Sequence, residues 1–228
     1  MQVVQNKMDW HLTTQNKDYL DLSIKRLDEP PLIWVSQFTD IINAKVKTIN
    51  KPMFKINDIG CNVGHFYRNI SQIESKVDYT GFDISQTYLD IAHNHFPEAS
   101  FILEDVGSSE FDRNKYNCDI SIVSATLEHI EDYEVFLENI FQSTNHLVLI
   151  RTFIGSQSLK DYCLKPGANQ SYLIRQFQLS DLKDKSFNDS WICEEIEDLA
   201  TGGVQKQVCE GIDRSQKILS FKKLISQF

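Results

Sequence analysis

The sequence predicts an α/β fold, a mostly parallel sheet with helices on both faces. Three observations predict it. Strand-like and helix-like patterns alternate from residue 54 to residue 153. Two of the strand patterns, "CDISIVSA" (118–125) and "HLVLIRTF" (146–153), are near-continuous apolar runs, as strands covered on both faces require. A glycine-containing turn, "GCNVG" (60–64), stands where the first strand hands over to the next element.

The elements follow in order. "KDYLDLSIKRL" (17–27) spaces Tyr19, Leu20, Leu22, Ile24 and Leu27 by threes and fours, which predicts a helix. A second helix follows Pro30 and Pro31, which suit a helix start, and runs on the apolar face of Ile33, Val35, Phe38, Ile41, Ile42 and Val46. "NKP" (50–52) ends it. The pattern then shortens. "FKINDI" (54–59), "VDYTGFDI" (77–84) and "SFILEDV" (100–106) predict strands, and "HFYRNISQI" (65–73) and "QTYLDIAHNHF" (86–96) predict the helices between them. "DYEVFLENIFQST" (132–144) predicts an amphipathic helix between the two buried strands. The last third is less regular. "QLSDLKD" (178–184) reads as a short helix, and "SWICEEIEDL" (190–199) and "QKILSFKKL" (216–224) as a closing antiparallel pair of strands.

The composition narrows the function. The 228 residues are enough for one sizeable domain, and neither an internal repeat nor a long linker divides them. No apolar run approaches the roughly 20 residues that span a bilayer, and the N-terminus is too polar and acidic for a signal peptide. These features predict a cytoplasmic location. The five cysteines are widely spaced with no CxxC pair, so neither a disulfide framework nor a zinc site is expected. The net charge of -9 argues against a protein that grips many phosphates, so no nucleic-acid partner is expected.

The turn itself is selective. In open parallel sheets ligands bind beyond the carboxyl ends of the strands. Glycine permits close approach and positive φ, and asparagine is among the few other residues that tolerate positive φ. A dinucleotide fingerprint needs glycines at 60, 62 and 65; the chain has Gly60, Asn62 and His65 there. The spacing of Asp58, Gly60, Asn62 and Gly64 instead resembles the "GCN" form of the glycine-rich first motif of class I S-adenosylmethionine-dependent methyltransferases. "GFDIS" ends the second strand, with Asp83 lying 19 residues beyond Gly64; "LEDV" ends the third; "IVSATLEHI" follows the fourth and is similar to a Glu-His motif of that family. The resemblance covers roughly residues 54–155.

The resemblance implies a Rossmann-like, seven-stranded, mostly parallel sheet with an antiparallel final strand. It implies an N-terminal helical lid over residues 1–50, a cofactor-binding core over 54–155, and a C-terminal part, 156–228, that completes the sheet on the acceptor side. S-adenosylmethionine (SAM) is the implied cofactor. Asp58, Gly60, Cys61, Asn62, Gly64, His65 and Phe66 would support or contact it at the turn. Asp83 would meet its ribose and Asp105, with Glu104 as the near neighbour, its adenine amino group; Ile84, Val106, Ser124 and Ala125 are further candidate cofactor-binding residues. Carboxylates suit its hydroxyls, amino groups and sulfonium, and backbone N–H groups near a helix start suit its carboxylate. His129 is the candidate general base, because a neutral imidazole is available at pH 7; Glu128 would orient the ring or meet the cofactor. Trp10, His11, Tyr19 and Trp34 are candidate lid residues. His93 and His95 point to different helix faces and are expected at the surface. The expected reaction is O-methylation of a small molecule, a sugar, a glycan precursor or a natural product. A protein- or tRNA-directed methyltransferase and a non-catalytic binding subunit of the same fold are the alternatives.

Overall fold

The computed structural model describes residues 17–164, 171–184, 190–202, 206–209 and 212–224. Helices α1 (Lys17–Asp28) and α2 (Ile33–Val46) come first. Strand β1 (Met53–Ile59) leads through the glycine turn into a short 3-10 helix, Tyr67–Gln72. Then come β2 (Lys76–Asp83), α3 (Gln86–His95), β3 (Ser100–Leu103) and β4 (Cys118–Ser124). A 3-10 turn, Leu127–His129, precedes α4 (Tyr133–Ser143) and β5 (Thr144–Gly155). The remaining elements are β6 (Leu159–Leu164), β7 (Ser171–Gln178), α5 (Leu179–Asp184), β8 (Trp191–Glu197), β9 (Lys206–Cys209), β10 (Ile212–Arg214) and β11 (Gln216–Lys223).

The main path of the sheet is β3-β2-β1-β4-β5-β11-β8, seven strands as expected. β11 is antiparallel to both neighbours, and β1 to β5 pair in parallel. The strand order reverses between β1 and β4, so the crevice opens beyond Ile59 and Ser124. Two strands add to the expected seven: β6 and β7 form a hairpin whose β7 pairs in parallel with the end of β5, at Ile154 and Gly155, making nine.

One apolar cluster lies on each face. Val35, Phe38, Ile42 and Val46 of α2 pack on Ile56, Ile120, Ile122, Leu147 and Leu149. Phe136, Leu137, Ile140 and Phe141 of α4 pack on Val123, Val148, Ile150 and Phe221. Every residue of β4 but its last is buried, which is why that run lacks alternation. α4 starts where Asp132 accepts a hydrogen bond from the Val135 N–H at 3.2 Å. The carbonyls at the end of α1 are met by the Arg68 guanidinium, which donates to Arg26 O at 3.0 Å and to Glu29 O. This tie fastens α1 to the segment after the glycine turn.

Two boundaries differ from expectation. The segment read as a helix over 65–73 is a tight 3-10 coil, Tyr67–Gln72, wedged under α2 by the buried Asn69 and its contact with Thr39. The third strand stops at Leu103, leaving Glu104, Asp105 and Val106 in the loop beyond it. His93 and His95 are exposed.

Candidate active site

The turn after β1 is built from left-handed backbone. Gly60, Asn62 and Gly64 have φ of 74°, 53° and 85°. The Gly60 and Cys61 N–H groups both donate to Phe82 O, at 2.8 and 3.0 Å. The Asn62 N–H donates to Asp83 Oδ2 at 2.9 Å, and the Ser85 N–H donates to Asp83 Oδ1 at 2.9 Å. One carboxylate thus holds the first turn and the start of α3 together. A side chain at Gly60 is impossible without movement, since a Cβ there would stand 2.2 Å from Thr126 Oγ1. The loop after β4 approaches that closely because Ala125 is itself left-handed, φ 56°, with its N–H on Arg151 O at 2.9 Å. Left-handed non-glycine residues are sparse in proteins and concentrate where a surrounding structure enforces them, often at functional sites.

These strand ends surround a cavity of about 380 Å³, within the range of small-molecule sites. Asp58, Gly60, Cys61, Asn62, His65 and Phe66 line it from the first turn, and Asp83 and Ile84 from the second strand end. Glu104, Asp105 and Val106 line it from the third, and Ser124, Ala125 and His129 from the fourth. Of the residues expected at the turn, Gly64 is the exception. The place of its side chain is taken by the Phe96 and Phe101 rings, 3.1–3.2 Å away, so it closes the turn from behind. Tyr19 and Trp34 line the cavity from α1 and α2; Trp10 and His11 lie outside the described residues.

Burial sets the electrostatics. Asp58 is 4% exposed, and its pKa is raised to about 7 by desolvation and, less, by Asp83. The Tyr79 hydroxyl, donating at 2.7 Å, opposes the rise. Burial, with Asp83 and Asp58 nearby, lifts the Cys61 thiol well above its usual value, which disfavours the thiolate. Burial, with Arg26 and Arg68 nearby, lowers the His65 pKa to about 4, so that ring is neutral at physiological pH. Glu104 accepts from Tyr116 Oη at 3.2 Å, whereas exposed Asp105 turns one oxygen to the Gly107 N–H at 2.9 Å.

The Glu-His pair divides. Glu128 is buried beneath its turn, where it accepts from Thr152 Oγ1 at 3.0 Å; it does not line the cavity. His129 does. Its Nδ1 lies 2.8 Å from Leu173 O on β7. A carbonyl only accepts, so Nδ1 carries the hydrogen and the neutral ring keeps its lone pair on Nε2. The hairpin that holds this carbonyl is latched by Arg175, which donates to Ile130 O and Glu131 O at 3.1 and 2.7 Å.

Two further cavity residues, Arg26 and Arg151, escape sequence reading. Arg26 looks like any solvated helix charge. Arg151 does leave a signal: it is the lone charge inside the apolar run "HLVLIRTF".

Comparison with known proteins supports the resemblance. Residues 56–146 match the family model described as a methyltransferase domain. Over 84 residues the chain is 30% identical to trans-aconitate 2-methyltransferase of Delftia acidovorans, an alignment covering 37% of this chain and 31% of that protein. The chain therefore matches about a third of the length of that curated relative. Solved structures align over most of the chain. A SAM-dependent methyltransferase from Clostridium acetobutylicum aligns at TM-score 0.59 and 11% identity, covering 92% of this chain and 99% of that one. Magnesium protoporphyrin IX methyltransferase from Synechocystis PCC 6803, solved with SAM, aligns at 0.57 and 14%, covering 96% and 100%. The plantazolicin methyltransferase BpumL, solved with a triazolic desmethylPZN analog and S-adenosylhomocysteine (SAH), aligns at 0.63 and 13%, covering 94% and 93%. The fold is that of the class I SAM-dependent methyltransferases, and the family match falls on the segment that carries the first four strand ends of the cavity.

Proposed function

We propose that this chain is a SAM-dependent methyltransferase that O-methylates a small acceptor, a natural product or a sugar-like compound among the candidates. One observation carries the reading. A left-handed glycine turn, an acid that ties it to the second strand, and a loop histidine of defined tautomer converge on one cavity at the switch point of the sheet. The residues fit the cofactor's chemistry. Gly60, Cys61 and Asn62 line the cavity, Asp83 and Glu104 offer acceptors for hydroxyls and an amino group, and Arg26 offers a cation for a carboxylate. When bound, SAM supplies a methyl group already activated by its sulfonium.

The chain's own residues would do the rest. His129 Nε2 accepts the proton of an acceptor hydroxyl, and Leu173 O holds the ring in the tautomer that can do so. Such a base contributes roughly 10²–10⁴-fold. Tyr19 and Trp34, which line the cavity from α1 and α2, would help to exclude water. Matches to a trans-aconitate methyltransferase and to a natural-product methyltransferase favour a small acceptor over a macromolecule. The test is calorimetric titration with SAH and NAD, followed by SAH release from SAM with a panel of hydroxylated metabolites. Micromolar binding of SAH alone is expected; no SAH binding would refute the reading.

A further inference from the structure

Arg151 leaves β5 at the same level as Ser124 on β4, the strand whose end carries the cavity loop and His129. It is almost fully buried, and three of its five N–H donors are spent. Nε and Nη2 donate to Asp198 Oδ1 and Oδ2 at 3.1 and 3.0 Å, and Nη2 donates again to Gln216 Oε1 at 2.5 Å. The two donors of Nη1 have no acceptor among the described residues. Behind it, the buried Gln216 Nε2 also has none. This corner therefore has more donors than acceptors, in a place where an unsatisfied polar group is costly.

The cavity's carboxylates all lie on one side of it, and Arg26 joins them there. Asp58, Asp83, Glu104 and Asp105 stand at the ends of β1, β2 and β3, the cofactor side of the reading above. Arg151 stands across the switch point, on the far side of β4, where the methyl acceptor would lie. Asp198 fixes the guanidinium plane, so its outer edge is presented without further loss of rotamer freedom.

We propose that Arg151 is the acceptor anchor and that the acceptor is a carboxylate-bearing hydroxy compound, its carboxylate on Nη1 and its hydroxyl toward His129. This rests on the methyltransferase reading and names the substrate class of that site. A preorganised guanidinium satisfies a carboxylate with charge-assisted hydrogen bonds, whereas the corresponding methyl ester offers only a neutral carbonyl.

The test separates the two claims. SAH binding measured first, by calorimetry, checks the methyltransferase reading alone. The three monohydroxybenzoates, malate and citrate are then titrated, each against its methyl ester, into the SAH-saturated protein. At least one acid is expected to bind tenfold or more tightly than its ester. Arg151→Lys should erase that preference to within about threefold while SAH affinity is kept. Asp198→Asn breaks the bidentate pair that fixes the guanidinium plane and should weaken the acid severalfold while SAH affinity is kept. If SAH binds but no acid does, or if esters bind as well as acids, or if Arg151→Lys keeps the full preference, the proposal is overturned.

Discussion

The carboxylate of Asp83 accepts the backbone N–H of Asn62 at 2.9 Å, across the gap between the first two strand ends. With the Ser85 N–H on its other oxygen, this carboxylate holds the loop that it also helps to line.

Replacing it therefore acts twice, on the cavity's acceptor set and on the turn. Asp83→Ala should weaken SAH binding by at least the ~1.5–3 kcal/mol of a charge-assisted hydrogen bond. Asp83→Asn, which keeps one carbonyl acceptor, should lose less. Calorimetric titration of the three proteins checks the order; equal affinities would remove Asp83 from the site.

Gly60 and Gly202 give an internal comparison. Both have positive φ, 74° and 58°, but a Cβ at Gly202 meets nothing within 4 Å, whereas at Gly60 it meets Thr126 at 2.2 Å. Gly202→Ala should cost only the left-handed backbone, roughly 1–2 kcal/mol. Gly60→Ala should cost more and should also abolish SAH binding, because the loop after β4 must move. Urea denaturation and SAH titration of both variants test this; similar losses would show that Thr126 yields freely.

Much of this architecture was legible in the sequence, for identifiable reasons. β4 announces itself because both its faces are buried, and α2 because its buried residues repeat at helical spacing. The turn was legible because Asn62 substitutes for glycine where φ is positive. β6 and β7 were not. Leu173, Ile174, Gln176 and Phe177 of β7 are all buried, so adjacent residues face packing on both sides and no period of two survives. That omission matters for function, since β7 supplies the carbonyl that orients His129. The burial of Glu128 was also hidden, because a carboxylate in a loop gives no sign that a threonine on the neighbouring strand will bind it.

Asp58 makes stability depend on pH. Unfolded, its carboxyl titrates near the ordinary 3.8; folded, burial raises it to about 7. Between these values the native state retains a proton that the unfolded chain has released. Raising the pH through this window therefore favours unfolding, and the effect levels off above about pH 7, where both states are ionised. Its size is on the order of a few kcal/mol. Asp58→Asn can still accept from Tyr79 but cannot ionise, so it should lose less stability than the parent protein between pH 5 and pH 8. Denaturant titrations at the two pH values decide it, and parallel losses would show that Asp58 does not titrate there.

His129 carries the chemical prediction. Its ring faces the cavity from the loop after β4, and the Leu173 carbonyl fixes Nδ1 as the donor. Because the lone pair is on Nε2, His129→Asn should remove the proton acceptor and lower kcat by about 10²-fold or more. It should leave SAH affinity nearly unchanged, since the turn and the second and third strand ends are untouched. His129→Gln, reaching farther with an amide that is not a base, should be equally slow. Arg175→Ala tests the support rather than the base. Loss of its bonds to Ile130 O and Glu131 O should loosen the loop against β7 and lower kcat less than His129→Asn does. Single-turnover methyl transfer is the measurement, because it isolates the chemical step from product release. A His129→Asn rate within a few-fold of the parent would exclude proton abstraction by this residue and point to an acceptor that reacts already deprotonated.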